Sequence, residues 1–243
     1  MIDKKITIPL NDDKVAYAKL KGSLKDTVII FAHGLASKMD SLLPYLSAEF
    51  FSKHGFNFLR FNFYDYYDDA RDLWDCSLKT HAEDLDAIVD YCFSMGAKQV
   101  HVIGHSYGGL TVLMSKRQKF TSAILFDPSH PVSSPFDKGE VKYIKEIDGY
   151  MKKAGIDFVY SRTLVEENRS LNPDEYLKSY STPAVILSAG EGTLVMGGKD
   201  YEKRLQKKVR VERHLINGAG HSFYEDAPRE ELFQRTLQWL KSF

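Results

Sequence analysis

The chain has no surplus of charge: 33 Lys and Arg residues balance 33 Asp and Glu residues across 243 positions. No long-range field therefore draws it to nucleic acid or to an anionic membrane, and a small neutral molecule is the expected partner. Cysteine is nearly absent. Cys76 and Cys92 are too few for a disulfide framework and fall in no Cys-x-x-Cys or Cys/His metal spacing, so both are expected as buried thiols. No apolar run approaches the ~18 residues of a membrane span, and Met1-Ile2-Asp3-Lys4-Lys5 lacks an apolar signal region, which makes a soluble, cytoplasmic protein the expectation. The carboxylates Asp65, Asp68, Asp69 and Asp72 lack the Asp-x-Asp-x-Asp-Gly spacing of a calcium loop, and no metal is expected. Internal repeats and low-complexity tracts are missing. The length suits one α/β domain, 1–243, with a small insertion, and leaves little room for a second. Oligomeric state is not written in these numbers.

What is present is an alternation of short apolar runs with helical periods. Residues 5–10 and 14–20 flank Asn11-Asp12-Asp13 and read as an antiparallel hairpin. Residues 27–32, 56–63, 99–103, 121–126, 184–188 and 210–216 are strand-like, and most are apolar throughout, as strands covered on both faces are. Between them, residues 42–54, 80–95, 200–207 and 230–241 carry apolar side chains at helical spacing. Such alternation predicts a mostly parallel sheet with helices on both faces. The order breaks at 130–181, where Pro131, Ser133-Ser134-Pro135 and Asn172-Pro173 punctuate lysine-rich stretches such as 141–153. This excursion is expected to be a set of short helices, a candidate lid. A second oddity is 64–75, where tyrosines and aspartates mix without a period. It reads as a solvated loop, with an aromatic wall to a binding pocket as the functional alternative.

The stretch on which function turns is Gly104-His105-Ser106-Tyr107-Gly108-Gly109, placed between an apolar strand and the helix-suited Leu110-Thr111-Val112-Leu113-Met114. A serine on a sharp strand-to-helix turn is thrust out of the sheet, and side chains at Gly104 and Gly108 would collide with neighbouring backbone. The following helix turns its unpaired N–H groups and positive dipole end toward any oxyanion formed at Ser106.

With His33-Gly34 after the third strand, this elbow after the fifth and Gly218-Ala219-Gly220-His221-Ser222-Phe223 after the eighth, the chain resembles an α/β-hydrolase over nearly its whole length outside the excursion. Within that superfamily it is most similar to small single-domain esterases and serine-aminopeptidase-like hydrolases. The resemblance implies an eight-stranded, mostly parallel sheet flanked by helices, with a short helical lid between the sixth and seventh strands. It also implies Ser106 as nucleophile, His221 as its base, and the backbone N–H groups of Leu35 and Tyr107 as oxyanion donors. His33 is expected to order the oxyanion loop, and His105 to pack away from the nucleophile.

The chain departs from the family at the third member. Most relatives place an aspartate after the seventh strand, yet here the run is Ser188-Ala189-Gly190-Glu191-Gly192-Thr193-Leu194, with Thr193 or Gly192 at the position. Asp127, ending the sixth strand in Phe126-Asp127-Pro128, is favoured as the acid, and Glu191 is the alternative. The implied activity is hydrolysis of a carboxylic ester of a small or medium acyl group through an acyl-enzyme, with no cofactor. The same constellation serves peptidases, amidases and thioesterases, and a low-turnover ligand-binding protein on this fold is the reading from another class.

Overall fold

The computed structural model describes residues 2–131, 136, 141–154 and 156–243. Its elements in chain order are β1 (Lys4–Pro9), β2 (Val15–Lys21), β3 (Asp26–Ala32), α1 (Leu42–Lys53), β4 (Asn57–Phe61), α2 (Leu78–Ser94), β5 (Ala97–His105), α3 (Tyr107–Met114) and β6 (Ser122–Phe126). There follow β7 (Lys142–Ile144), β8 (Gly149–Ala154), β9 (Ile156–Ser161), α4 (Arg162–Arg169), α5 (Pro173–Tyr176), β10 (Ala184–Ala189), α6 (Val195–Leu205), β11 (Val211–Ile216) and α7 (Asp226–Leu240).

Eight of the strands form one sheet in the order β1-β2-β4-β3-β5-β6-β10-β11. The hairpin β1-β2 and the β2-β4 pair are antiparallel, and every pair from β4 to β11 is parallel. Side chains alternate across the parallel strands, so each strand feeds two cores. Val28, Ile30, Val100, Val102, Ala123 and Leu125 face α2, α3 and α6. Ile29, Phe31, Ile103, Ile124 and Phe126 face α1 and α7, where Phe51, Leu237 and Trp239 meet them. Complete burial of each Val, Ile, Leu or Phe side chain among these stabilises the fold by roughly 1.5–3 kcal/mol. The carboxyl ends of β3, β5, β6 and β10 thereby share one edge, where open α/β sheets bind ligands.

Two helices begin earlier than their sequence periods. α6 starts at Val195 rather than Asp200, because Gly197 and Gly198 hide its first turn; added Cβ atoms would strike His130 and the Ser188 hydroxyl. α7 starts at Asp226, with Pro228 in its first turn, where a missing N–H costs nothing. Both cysteines are free and buried.

The expectation of a helical excursion is corrected. Residues 142–161 hold a three-stranded antiparallel sheet, β7-β8-β9, and only afterwards do the short helices α4 and α5 appear. The lysines of 141–153 favour helix by propensity, but a period of two runs beneath them. Tyr143 lies opposite Tyr150, and Tyr150 opposite Tyr160, so cross-strand aromatic pairs decide the outcome. Tyr160, Leu164 and Val165 join Phe136, Tyr107 and Leu110 in a third core that seats this unit on α3. Ser133-Ser134-Pro135, expected to punctuate the excursion, lies outside the described residues.

Candidate active site

Ser106 stands between β5 and α3 with φ 55° and ψ −119°, a conformation that costs a non-glycine residue roughly 1–3 kcal/mol. Its neighbours hold it there. Ser106 N–H donates to the Phe126 carbonyl at 2.9 Å, and the Ser106 carbonyl accepts from Gly109 N–H and Ser129 N–H. Gly104 permits the turn because an added Cβ would lie 2.7 Å from the Gly108 carbonyl oxygen.

The hydroxyl so presented meets an imidazole from the β11-α7 loop. Ser106 Oγ and His221 Nε2 are 2.9 Å apart, and His221 Nδ1 lies 2.6 Å from Asp127 Oδ2. Asp127 is fully buried at the end of β6, with its backbone at φ 40°, and its other carboxylate oxygen accepts Ala189 N–H at 3.1 Å. A buried carboxylate beside Nδ1 fixes the tautomer: Nδ1 carries the proton and donates to Asp127, leaving Nε2 to accept from Ser106. Glu191, the alternative acid, is exposed, and its backbone N–H donates to the Ala219 carbonyl at 2.9 Å. Its neighbour Gly192 is the informative residue. A Cβ there would lie 3.1 Å from Asp127 Oδ2, so the loop that carries the acid in most relatives presses its backbone against a carboxylate from the next strand.

Two further histidines brace this arrangement. His33 is buried; its Nε2 accepts Phe63 N–H at 3.1 Å, so its Nδ1–H donates to the Gly34 carbonyl at 2.8 Å. Burial lowers its pKa to about 4, which keeps the ring neutral and the loop after β3 fixed. His105 donates from Nε2 to the His221 carbonyl at 2.9 Å, its ring 5.0 Å from that of His221. Rather than merely packing away from the nucleophile, it tethers the loop carrying His221. Burial, then the neighbouring His221, depress its pKa to about 3.

Leu35 and Gly34 line a cavity of about 210 Å³ together with Ser37, Ser41, Leu42, Pro44, Ser106, His221, Ser222 and Tyr224. A Cβ at Gly34 would lie 3.1 Å from Ser106 Cβ, so the glycine lets this loop close on the elbow. Tyr107 opens α3, where first-turn N–H groups have no intrahelical acceptor. Its phenol is buried against Phe136 and His81.

No residue of 64–75 lines this cavity. Asp65 and Tyr67 border a separate cavity of about 510 Å³ with Tyr17, Lys19 and Asp40, while Tyr66 is solvent-exposed. The segment is a stapled surface loop: Arg71 pairs with Asp84 and Asp12, and Trp74 lies against Gly149 of the excursion. Sequence reasoning passed over Ser129, whose hydroxyl lies 3.4 Å from Ser106 Oγ. Its only signal was its place two residues after Asp127.

Among solved structures, the chain is similar to Est1E from Butyrivibrio proteoclasticus with ferulic acid bound, at 18% identity over 97% of this chain and 99% of that one, with a TM-score of 0.79. An esterase from Pyrococcus furiosus aligns at 19% identity over 100% of this chain and 91% of its own, with a TM-score of 0.79. Mouse alpha/beta hydrolase domain-containing protein 10 aligns at 16% identity over 98% and 99%, with a TM-score of 0.72. At such identities the likeness is one of fold. Comparison with curated protein sequences gave no match. The sequence model of the alpha/beta hydrolase family matches residues 29–235, most of the chain, and this protein belongs to that family.

Proposed function

We propose that the protein is a serine esterase acting on a small-molecule carboxylic ester through an acyl-enzyme. The observation that carries this reading is the unbroken chain of hydrogen-bond distances from Ser106 Oγ to His221 Nε2 and from His221 Nδ1 to Asp127 Oδ2, 2.9 and 2.6 Å. His221 takes the Ser106 proton as Oγ attacks the acyl carbon, and the buried Asp127 carboxylate stabilises the imidazolium that results. The oxyanion is met by the N–H groups of Leu35 and Tyr107, which are fixed before reaction and need no reorganisation. His221 then protonates the departing alcohol. Water repeats the sequence on the ester of Ser106 and releases the acid.

A cavity of about 210 Å³ is smaller than the roughly 300–1,000 Å³ of sites for drug-sized ligands, which supports a small or medium acyl group. Among the described residues its lining bears hydroxyls and, besides His105 and His221, no acidic or basic side chain, which suits an uncharged substrate. A carboxylic acid held by the similar fold of Est1E agrees with ester chemistry. The test is labelling with a fluorophosphonate, followed by hydrolysis of p-nitrophenyl acetate, butyrate, octanoate and palmitate. Labelling that vanishes in Ser106→Ala, with acetate or butyrate turned over fastest, is expected; hydrolysis that survives Ser106→Ala overturns the proposal.

A further inference from the structure

Ser129 is held at both ends of its backbone while its side chain is left facing the nucleophile. Its N–H donates to the Ser106 carbonyl at 2.9 Å. Its carbonyl accepts the hydroxyl of Tyr201 at 2.7 Å, and Tyr201, fully buried on α6, is itself 2.9 Å from the Tyr176 hydroxyl on α5. The residue is buried, and among the described residues its hydroxyl meets Ser106 Oγ at 3.4 Å, a long contact of the kind that tightens once substrate is bound. The direction of this contact follows from the rest of the site. Ser106 has one hydroxyl proton and gives it to His221 Nε2 at the shorter distance of 2.9 Å, so Ser129 is the donor and Ser106 Oγ the acceptor.

A donor aimed at Oγ does not treat the two half-reactions alike. The free Ser106 hydroxyl, polarised by His221, is a strong acceptor; once acylated, Oγ is an ester ether oxygen and a weak one. The contact therefore stabilises the free enzyme, and the transition state in which Oγ regains electron density, over the acyl-enzyme. We propose that Ser129 is a further catalytic residue whose hydroxyl donates to Ser106 Oγ and specifically speeds deacylation. This rests on the acyl-enzyme reading above. In that step water adds to the acyl carbon and yields its proton to His221. The C–Oγ bond then breaks, its electron pair stays on Oγ, and His221 Nε2–H returns the proton to it. Ser129 supplies only a hydrogen bond to the departing oxygen and gains or loses no proton.

The experiment is stopped-flow hydrolysis of p-nitrophenyl acetate by the full chain, with intact-mass detection of acylated protein, for wild type, Ser129→Ala and Ser129→Thr. In Ser129→Ala the deacylation constant is expected to fall about 3- to 10-fold, the rate equivalent of one neutral hydrogen bond, with no fall in the acylation constant. Acyl-enzyme then accumulates, and Ser129→Thr, which keeps the hydroxyl, restores turnover. Phosphonylation by a fluorophosphonate, which has no deacylation step, proceeds in Ser129→Ala at least as fast as in wild type; this also shows that the site is intact. Equal falls in acylation and deacylation, slowed phosphonylation, or an unchanged deacylation constant each overturn the role of Ser129. A wild-type protein that hydrolyses the ester without any acyl adduct on Ser106 overturns the acyl-enzyme reading itself.

Discussion

β6 and β10 lie side by side, run parallel and end at the same edge of the sheet next to the same imidazole, yet one ends in Asp127 and the other in Gly190-Glu191-Gly192. The difference teaches that the carboxylate beside His221 is delivered here by β6, and that the β10 loop approaches it with glycine backbone. Asp127 pays for its position with a φ of 40°, which turns its side chain across the neck of the β10 loop. The β10 loop in turn keeps a glycine where a Cβ would lie 3.1 Å from that carboxylate. Each end makes sense only beside the other.

The hardest blow to this pairing is Asp127→Asn, which leaves the geometry but denies Nδ1 a carboxylate. Steady-state hydrolysis of p-nitrophenyl acetate is expected to fall about 10³- to 10⁴-fold, by analogy with the corresponding change in a serine protease. Full activity in this variant would remove Asp127 from the mechanism. Exchanging the residues, Asp127→Gly with Gly192→Asp, sharpens the comparison: glycine tolerates the positive φ at 127, and a carboxylate returns from the other strand. Roughly tenfold recovery over Asp127→Gly alone is expected in the same assay, on the reasoning that either strand can seat the acid. Gly192→Val crowds Asp127 without touching the charges, and a several-fold loss of kcat with little change in KM is the anticipated result. Glu191→Gln, the control on the β10 side, changes turnover by less than about twofold, as exposed substitutions do.

Buried histidines contribute to the acid sensitivity of the fold. Burial holds His33 and His101 at about 4, and His81 and His105 at about 3. Below about pH 6.5 the unfolded chain binds protons that these native rings refuse, so the stability is full above that pH and is lost progressively as pH falls toward 3. His81, stacked on Phe63, has neither ring nitrogen hydrogen-bonded among the described residues. Thermal melts of His81→Phe from pH 7 to pH 4 are expected to show a flatter acid limb than wild type; an identical slope would show that His81 contributes nothing to it.

Legibility in the sequence followed the range of the interactions. The hairpin, the apolar strands and the elbow were readable because neighbouring residues decide them: alternation in 15–20, continuous apolar runs in 27–32, and glycines at 104 and 108 that avoid local collisions. The excursion misled because lysine favours helix, whereas the pairing of Tyr143, Tyr150 and Tyr160 joins residues from three strands. The run at 64–75 read as a surface loop with a pocket wall as the alternative; Arg71 and Trp74 staple it through Asp84, 13 residues on, and Gly149 of the excursion. For the acid, both Asp127 and Glu191 were in view, and nothing local separates them.

Outside the excursion, the sequence by itself determined the order of strands and helices and the place of the serine at a strand-to-helix turn, because periodicity and glycine spacing act within a few residues. It also determined that a histidine stands in a glycine-flanked loop 115 positions later. Only the tertiary structure decided which carboxylate faces that histidine, that Gly192 makes room for it, and that Ser129 looks onto the nucleophile. Those relations join segments 23 to 94 residues apart in the chain, and distance in space is a quantity that no single segment encodes.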